Sequence, residues 1–330
     1  MHWLDRISAS ALGRTPAHRR VFRDGWGDRD LIDAYLGRVA TFPPLEIPPI
    51  VEHPPHRDGD RVITGIEFES PAEDLPERAR IARARLVSSD PEPERVVVLM
   101  SAWNDHDYRS RTRIAERLLP HGIASVMLEN PYYGDRRPVP GDEQPIATVA
   151  DFGMMGRAAV LDGRVLAGYF RRRGAVVGVG GFSMGGNLAA FVAAGVPFPV
   201  ATAPLAASHS PAPVFLDGIL RSTIAWDALG GERPDVEHAL WDYLVAASVL
   251  DHPPRPHLQN AVLLAATKDG YVPTSAIQAL HRHWPGSALE WINAGHGSLA
   301  WRHHGRMAEA IVRSFDRMAA GPAGTTATAQ

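Results

Sequence analysis

Residues 176–186 decide the fold, and they read Val176-Val177-Gly178-Val179-Gly180-Gly181-Phe182-Ser183-Met184-Gly185-Gly186. The first four residues end a short apolar run of the kind found in strands buried on both faces of a sheet. An apolar segment of helix length, 184–194, includes the last glycines and continues beyond them. The stretch therefore predicts a strand, a tight turn and a helix in that order, which is the repeating unit of α/β proteins.

The turn contains a Gly-x-Ser-x-Gly motif at Gly181, Ser183 and Gly185. The motif by itself is weak evidence for a nucleophilic serine, but its position between a strand and a helix strengthens that evidence. A nucleophilic serine on such a turn takes a strained conformation that tolerates only small neighbours, and its hydroxyl projects above the sheet. We therefore predict that Ser183 is a nucleophile. The alternative is an inert serine on an ordinary turn.

A phosphate-binding loop is a poor match to the same residues. A dinucleotide fingerprint counted from Gly178 places Ser183 where the third glycine belongs, and no lysine follows as a Walker loop requires. Lys268 is the only lysine of the chain, and there are 0 cysteines. These counts exclude disulfides, thiolate zinc sites, a cysteine nucleophile and a kinase lysine.

Short apolar runs alternate with helix-length segments over most of the chain. The runs are 96–100, 125–128, 175–179, 200–203 and 262–266. This alternation predicts a doubly wound α/β fold, with a mostly parallel central sheet flanked by helices. Together with the serine turn, it favours an α/β-hydrolase fold. Two β-rich segments, 62–68 and 81–86, come first and predict a mixed sheet that begins with an antiparallel edge.

The predicted organisation has three parts. Residues 1–60 form an N-terminal arm, residues 61–318 form the α/β-hydrolase domain, and residues 319–330 form a small, polar tail that we expect to be disordered. Residues 206–259 interrupt the alternation and are expected to form a cap-like insertion that covers the sheet edge. Hydrophobic residues at 45% and charged residues at 22% are typical of globular chains.

A serine nucleophile needs a base, and the base needs an orienting acid. In hydrolases of this fold the order is serine, then the acid after a late strand, then histidine after the last strand. Asp269 directly follows the 262–266 run, and His296 lies between two glycines after the 288–292 strand. We therefore predict a triad of Ser183, Asp269 and His296. Two other acids, Asp251 and Asp227, lie in the insertion.

Two backbone N–H groups must bind the oxyanion of the tetrahedral intermediate. We expect one from Met184 and the other from Trp103, or a neighbour of Trp103, in the loop after the 96–100 strand. In the same loop, Asn104 and His106 are candidate ligands for polar groups of the substrate. The alternative for this polar cluster is that its aspartates cap the next helix.

The segment after the 125–128 strand resembles the signature of the α/β-hydrolase domain-containing protein 18 family, a poorly characterised group of serine hydrolases. It reads Leu128-Glu129-Asn130-Pro131-Tyr132-Tyr133-Gly134-Asp135-Arg136-Arg137-Pro138. Other agreements are Gly25-Trp26-Gly27, Asp105-His106-Asp107-Tyr108, Ser183-Met184-Gly185-Gly186, Asp269-Gly270-Tyr271-Val272-Pro273 and Trp284-Pro285-Gly286. The resemblance covers nearly the whole chain and departs at 101–104, where the family tends to have small residues. It implies a hydrolase with the same triad and leaves the substrate open.

The order of the strands also suggests how the site binds substrate. Tyr132, Tyr133 and Arg136 follow a strand whose carboxyl end lies at the same sheet edge as Ser183, so we expect them to line the entrance of the cleft. Arg136 or Arg137 is a candidate for binding a phosphate or carboxylate of the substrate in bidentate fashion. The alternative is that this arginine pair lies at the surface in water.

Together these features predict a serine hydrolase that cleaves an acyl ester, with a lipid-like acyl chain as one option. The alternatives are an acyltransferase or thioesterase on the same fold, and a catalytically silent protein that binds a ligand or partner. The chain has 15 histidines but no HExxH spacing, so no metal and no cofactor are expected.

Charge and hydropathy bear on partners and location. A net charge of -3 supplies no positive field for nucleic acid, and no apolar run is long enough for a transmembrane segment. Residues 1–20 contain no continuous apolar signal region. We expect a cytoplasmic protein that acts on a small-molecule ester. A mature exported form and the oligomeric state both stay open.

Overall fold

A computed structural model describes residues 1–321. These residues contain one ten-stranded sheet. Its strands are β1 (Ile50–Glu52), β2 (His56–Asp58), β3 (Arg61–Glu69), β4 (Ile81–Ser88), β5 (Arg95–Met100), β6 (Ala124–Leu128), β7 (Val176–Phe182), β8 (Ala201–Leu205), β9 (Val262–Ala266) and β10 (Ala288–Ile292). Most of the tail predicted at 319–330 lies outside the described residues.

The sheet is antiparallel at one end and parallel over the rest. Its order is β1-β3-β4-β6-β5-β7-β8-β9-β10, and β2 pairs with β3. The pairs β1–β3, β3–β4 and β4–β6 are antiparallel. The neighbouring strands in the part of the sheet with the order β6-β5-β7-β8-β9-β10 are all parallel. The mixed, mostly parallel sheet predicted from the sequence is confirmed.

Helices flank the sheet on both faces. They are α1 (Trp3–Leu12), α2 (Arg29–Arg38), α3 (Arg109–Leu118), α4 (Val149–Arg172), α5 (Met184–Gly195), α6 (Trp226–Leu229), α7 (Pro234–Val245), α8 (Thr274–His283), α9 (His296–Arg302) and α10 (His304–Ala319). None of the helices within residues 1–321 combines the length and apolar character needed to cross a membrane.

The central strands are apolar because both of their faces are covered. In β5, Val98 and Met100 belong to one core, which contains residues of α4, α5 and α8. Val97 and Leu99 alternate with them and belong to the opposite core, which contains residues of α3 and α10. Successive side chains of a strand point to opposite faces, so a continuous apolar run is what such a strand requires.

A third apolar cluster joins the insertion to the N-terminal arm. Phe22 from the arm, Phe152 from the first turn of α4 and Phe215 from the insertion pack together, with ring centroids 5.3 to 6.1 Å apart. Helix α4 begins here because Thr148 and Asp151 form a capping box. The arm and the insertion therefore cover the start of α4, close to the carboxyl ends of the central strands.

Candidate active site

Ser183 lies on a strained turn between β7 and α5. Its backbone has φ 58° and ψ -121°, in the left-handed half of conformational space that side chains other than glycine seldom adopt. A Cβ on Gly181 would lie 2.5 Å from the Gly185 backbone, and one on Gly185 would lie 2.3 Å from the Met100 carbonyl oxygen. Glycines are therefore required, because the start of α5 presses against both β7 and the end of β5.

His296 links Ser183 to a carboxylate. Its Nε2 lies 2.9 Å from Ser183 Oγ, and its Nδ1 lies 2.7 Å from Asp269 Oδ2. Asp269 comes from the loop after β9, and His296 is the first residue of α9, after β10. The other carboxylate oxygen of Asp269 accepts hydrogen bonds from the N–H groups of Tyr271 and Val272, at 2.8 and 2.9 Å. These two bonds hold the Asp269 carboxylate in its position beside the imidazole.

Two aromatic rings hold the imidazole in place. The His296 ring is stacked on Tyr271, with centroids 4.8 Å apart, and lies 4.6 Å from the ring of Phe182 at a tilt of 38°. A donor Nδ1–H toward the carboxylate leaves Nε2 free to accept the Ser183 hydroxyl proton. The ring is thus held in both orientation and tautomer.

The two rival acids do not reach the imidazole. Asp227 lies in the insertion's short helix α6 and Asp251 lies further along the insertion, and both are exposed. Among the residues that the structure describes, Asp269 is the carboxylate within ion-pair distance of His296. The geometry therefore offers His296 one acid partner.

The two expected oxyanion donors belong to segments that meet at the cavities of Ser183. Met184 is the first residue of α5, and Trp103 lies in the loop after β5. In the described part of the chain neither N–H donates to another backbone group. Trp103 also lines both cavities that open at Ser183. A developing oxyanion needs two N–H donors, and the role of Met184 and Trp103 as those donors stays a prediction.

Two cavities of different character meet at Ser183. The first is apolar and runs toward the N-terminal arm, and its lining includes Phe42, Phe152, Val160, Leu188, Phe191 and Phe215. The second contains His296 and is more polar, with Thr15, Arg19, Asn104, Glu143 and Gln144 in its lining. Asn104 thus lines the cavity that contains His296, and its role as a substrate ligand stays a prediction.

Three other predicted ligands are not part of either cavity lining. Tyr132 and Tyr133 are 2% and 1% exposed. The Tyr132 hydroxyl donates to Asp151, and the Tyr133 hydroxyl accepts from the Asn104 N–H at 3.3 Å. His106 packs edge-on against Tyr133, and burial lowers the pKa of its imidazole. Tyr132 and Tyr133 were expected to line the entrance, and this expectation is wrong, because both side chains are buried and hydrogen-bonded inside the protein. His106, a predicted ligand for polar groups of the substrate, lines neither cavity at Ser183.

Arg136 was also expected at the entrance, and this expectation is wrong. The side chain is fully buried, and its Nη1 lies 2.9 Å from Asp162 Oδ2 on α4. Its other N–H groups donate to the carbonyl oxygens of Ala79 and Glu129. Local sequence shows that an arginine follows a strand, but it does not show that a carboxylate 26 residues later is buried opposite it.

One residue beside the triad was missed in the sequence. Asp5 on α1 is fully buried and accepts hydrogen bonds from backbone N–H groups of both the Asp269 loop and the His296 loop. A lone aspartate in a short amphipathic segment has no distinguishing pattern, since its partners are more than 260 residues away. No local signal could have identified it.

Several solved structures that are similar in fold to this chain are esterases. The chain is similar to an acetyl xylan esterase from Paenibacillus sp. R4, with TM-score 0.56 and 13% identity over 91% of this chain and 98% of that one. It is also similar to acetyl xylan esterase 1 from Thermoanaerobacterium sp. JW/SL YS485, with TM-score 0.52 and 16% identity over 89% and 99% of the two chains. A third similar structure is a cold-adapted esterase from an Arctic intertidal metagenomic library, with TM-score 0.51 and 15% identity over 79% of this chain and 97% of that one. At these identities the likeness establishes the α/β-hydrolase fold alone.

A family profile matches most of the sequence. The profile described as Alpha/beta hydrolase domain containing 18 matches residues 19–249 and 246–317. The two matched segments together include the serine turn, the insertion, the Asp269 loop and the His296 loop. Because this profile matches most of the sequence and agrees with the fold, the chain belongs to the alpha/beta hydrolase domain containing 18 family.

Proposed function

We propose that this protein is a serine hydrolase that cleaves a carboxylic ester, with Ser183 as nucleophile, His296 as general base and Asp269 as the acid that orients it. The observation that carries the proposal is the hydrogen-bonded chain of 2.9 Å from Ser183 to His296 and 2.7 Å from His296 to Asp269. The family and the fold shared with esterases support a hydrolase.

Acylation is the first half of the proposed reaction. Ser183 Oγ attacks the ester carbonyl carbon while His296 Nε2 takes the hydroxyl proton. The carbonyl oxygen becomes an oxyanion, for which we assign the Met184 and Trp103 N–H groups as donors. The intermediate then collapses: the ester C–O bond breaks, His296 gives its proton to the departing alkoxide, and the acyl group stays on Ser183. Asp269 stabilises the imidazolium throughout.

Deacylation reverses these roles with water. Neutral His296 accepts a proton from a water molecule, whose oxygen attacks the acyl carbon. The second tetrahedral intermediate then collapses: the bond between the acyl carbon and Ser183 Oγ breaks, His296 gives its proton to Ser183 Oγ, and the carboxylic acid is released. If an alcohol or thiol took the place of water, the same steps would transfer the acyl group. Product analysis with added alcohols and thiols separates the two outcomes.

The two cavities support a direction for the bound ester. The leaving oxygen must face His296, which protonates it, so the alcohol part belongs in the polar cavity that contains His296. The acyl chain then extends from Ser183 into the apolar cavity lined by Leu188 and Phe191. An apolar cavity with few polar groups favours an aliphatic chain. We therefore propose a lipid-like acyl ester as substrate.

A fluorophosphonate probe tests the nucleophile. We expect the probe to label Ser183, and we expect Ser183→Ala to abolish both labelling and ester turnover in a folded protein. Ser222→Ala is the control, because Ser222 is an exposed serine of the insertion and should leave labelling intact. Labelling at a serine other than Ser183, or turnover by Ser183→Ala, would overturn the assignment.

A chain-length series tests the substrate class. p-Nitrophenyl esters from acetate to palmitate keep the leaving group constant while the acyl chain grows. We expect kcat/KM to rise from acetate to medium-length chains, because each buried methylene contributes about 0.8 kcal/mol of transfer free energy. A series in which acetate is the best substrate would contradict the lipid-like assignment and leave the triad untouched.

A further inference from the structure

Helix α1 places one carboxylate between the two loops that carry the acid and the base. Asp5 Oδ2 accepts hydrogen bonds from the N–H groups of Gly270 and His296, both at 2.9 Å. Asp5 Oδ1 accepts a third from Gly297 N–H at 3.0 Å. Gly270 directly follows Asp269, and Gly297 directly follows His296. One side chain therefore ties the backbone of the Asp269 loop to the backbone of the His296 loop.

Asp5 is buried, and its carboxylate is bound entirely within the fold. Asp5 is 0% exposed although the helix that carries it lies at the surface, with Trp3, Arg6 and Ile7 exposed. A buried carboxylate is costly unless hydrogen bonds replace its water, and here three N–H groups do so. Charge-assisted bonds of this kind are stronger than bonds between neutral groups.

Close packing of the helix against the same loops supports the contact independently. The His2 N–H donates to the Lys268 carbonyl oxygen at 2.9 Å. A Cβ on Gly295 would lie 2.3 Å from His2 Cβ. The residue before His296 must therefore be glycine for α1 to approach, and α1 touches the Asp269 loop on its other side as well.

We propose that Asp5 is a positioning residue for the reaction: its carboxylate sets the Asp269 loop and the His296 loop at the separation that the Asp269–His296 hydrogen bond requires. The proposal rests on the triad function proposed above. Asp5 touches no reacting atom and faces backbone N–H groups only. It acts through the positions of Asp269 and His296, and a shift of about 1 Å in such a group is enough to lower kcat by about 100-fold.

The hydrogen bonds of Asp5 predict that two substitutions differ in how strongly they lower activity. Asp5→Ala removes all three acceptors. Asp5→Asn keeps the shape and one acceptor oxygen, which can serve Gly270 and His296, but it turns an NH₂ group toward the Gly297 N–H. Two donors then face each other at that point. We therefore expect Asp5→Asn to be impaired less than Asp5→Ala, and both to be impaired more than a variant that loses a surface carboxylate.

The experiment compares Asp5→Ala, Asp5→Asn and the control Asp33→Asn, which removes an exposed carboxylate from α2. The folded fraction is measured by circular dichroism, and kcat is expressed per mole of folded protein. We expect kcat to fall about 100-fold in Asp5→Ala and by a smaller factor in Asp5→Asn. KM should stay within about threefold, because Asp5 itself lines neither cavity. Asp33→Asn should match the wild type.

The readouts separate positioning from general destabilisation. A purely structural role would lower the melting temperature while leaving kcat per folded molecule unchanged, and that result would overturn the proposal. If Asp5→Ala fails to fold, Asp5→Asn carries the test alone, and an unchanged kcat in that variant overturns the proposal too. Failure of the triad is a different outcome, because it would appear as full turnover by Ser183→Ala whatever Asp5 does.

Discussion

Arg136 and Asp162 form a fully buried ion pair, with 2.9 Å between Nη1 and Oδ2. Ser70 Oγ donates to the second oxygen of Asp162 at 2.6 Å. Burial raises the pKa of the Asp162 carboxyl, while the Arg136 charge and the Ser70 hydrogen bond oppose that shift. The pair connects the loop after β6 to the middle of α4 and lines neither cavity at Ser183, so this part of the family signature stabilises the fold.

Arg136→Ala should therefore act on stability. Removing one partner leaves an uncompensated buried carboxylate, so the free energy of unfolding should fall by about 3–5 kcal/mol in urea denaturation. Arg109→Ala, in which an arginine with 86% side-chain exposure is removed, should change it by less than about 0.5 kcal/mol. A selective rise in KM for anionic esters, with stability unchanged, would contradict this and restore Arg136 as a substrate ligand.

Asp269→Asn should lower kcat and leave KM nearly unchanged. The amide can keep the Tyr271 and Val272 N–H bonds, but it favours the wrong histidine tautomer, and the corresponding change in the best-studied triad lowers kcat by about 10⁴-fold. Asp251→Asn is the matched control, since Asp251 is exposed and belongs to the insertion. Steady-state kinetics with one p-nitrophenyl ester decide between them. Loss of activity in the control instead would move the acid into the insertion.

The parts predicted from sequence are those fixed by local pattern. The continuous apolar run of β5 and the glycines around Ser183 each require one local structure, and Asp269 and His296 follow from their places after β9 and β10. The contacts of Asp5 and Arg136 depend on which distant segments meet in space, and no local pattern encodes that. Strand β1, in a proline-rich segment, was missed for the same reason, since it exists through pairing with β3.

Gly156→Leu should shorten the apolar cavity. Gly156 lies in α4 and lines that cavity, and a Cβ at this position would meet nothing within 4 Å. A leucine therefore extends into the space proposed for the acyl chain. We expect kcat/KM for a long-chain p-nitrophenyl ester to fall by about tenfold or more, while the value for acetate changes little.

Gly37→Leu is the matched control for the Gly156 variant. Gly37 is an exposed helical glycine of α2 with open space at its Cβ, and it does not line the cavity. Both substitutions should stabilise their helices by about 0.5–1 kcal/mol, but only Gly156→Leu should change the chain-length profile. Equal losses for acetate and long-chain esters would place the acyl chain elsewhere.

His257 should make the fold sensitive to acid. Its Nε2 lies 3.1 Å from the Ala193 carbonyl oxygen, and burial lowers the pKa of the imidazole to about 4. The unfolded chain binds a proton below about pH 6.5, whereas the folded protein resists protonation down to about pH 4. Neutral His257 therefore contributes fully to the free energy of unfolding above about pH 6.5, and this contribution is lost as the pH falls toward 4.

His257→Gln should reduce this acid sensitivity. Between about pH 7.5 and about pH 5, the wild type should lose about 2 kcal/mol more of its unfolding free energy than the variant, as measured by urea denaturation at both pH values. His238→Gln removes a histidine with 78% side-chain exposure and should keep the wild-type pH dependence. Parallel pH curves for wild type and His257→Gln would mean that His257 is protonated equally in the folded and unfolded states.

The contact between α1 and the catalytic loops has a consequence for biosynthesis. Asp5 leaves the ribosome early, but its partners follow 265 to 292 residues later. At about 5–20 residues per second, the helix waits about 13–60 seconds for the loops that bury its carboxylate. Until then Asp5 stays hydrated, and the imidazole and its acid have no fixed separation. The nascent chain thus carries its serine turn long before the Asp269 loop, the His296 loop and α1 have assembled, and the proposed ester cleavage can begin only after that assembly.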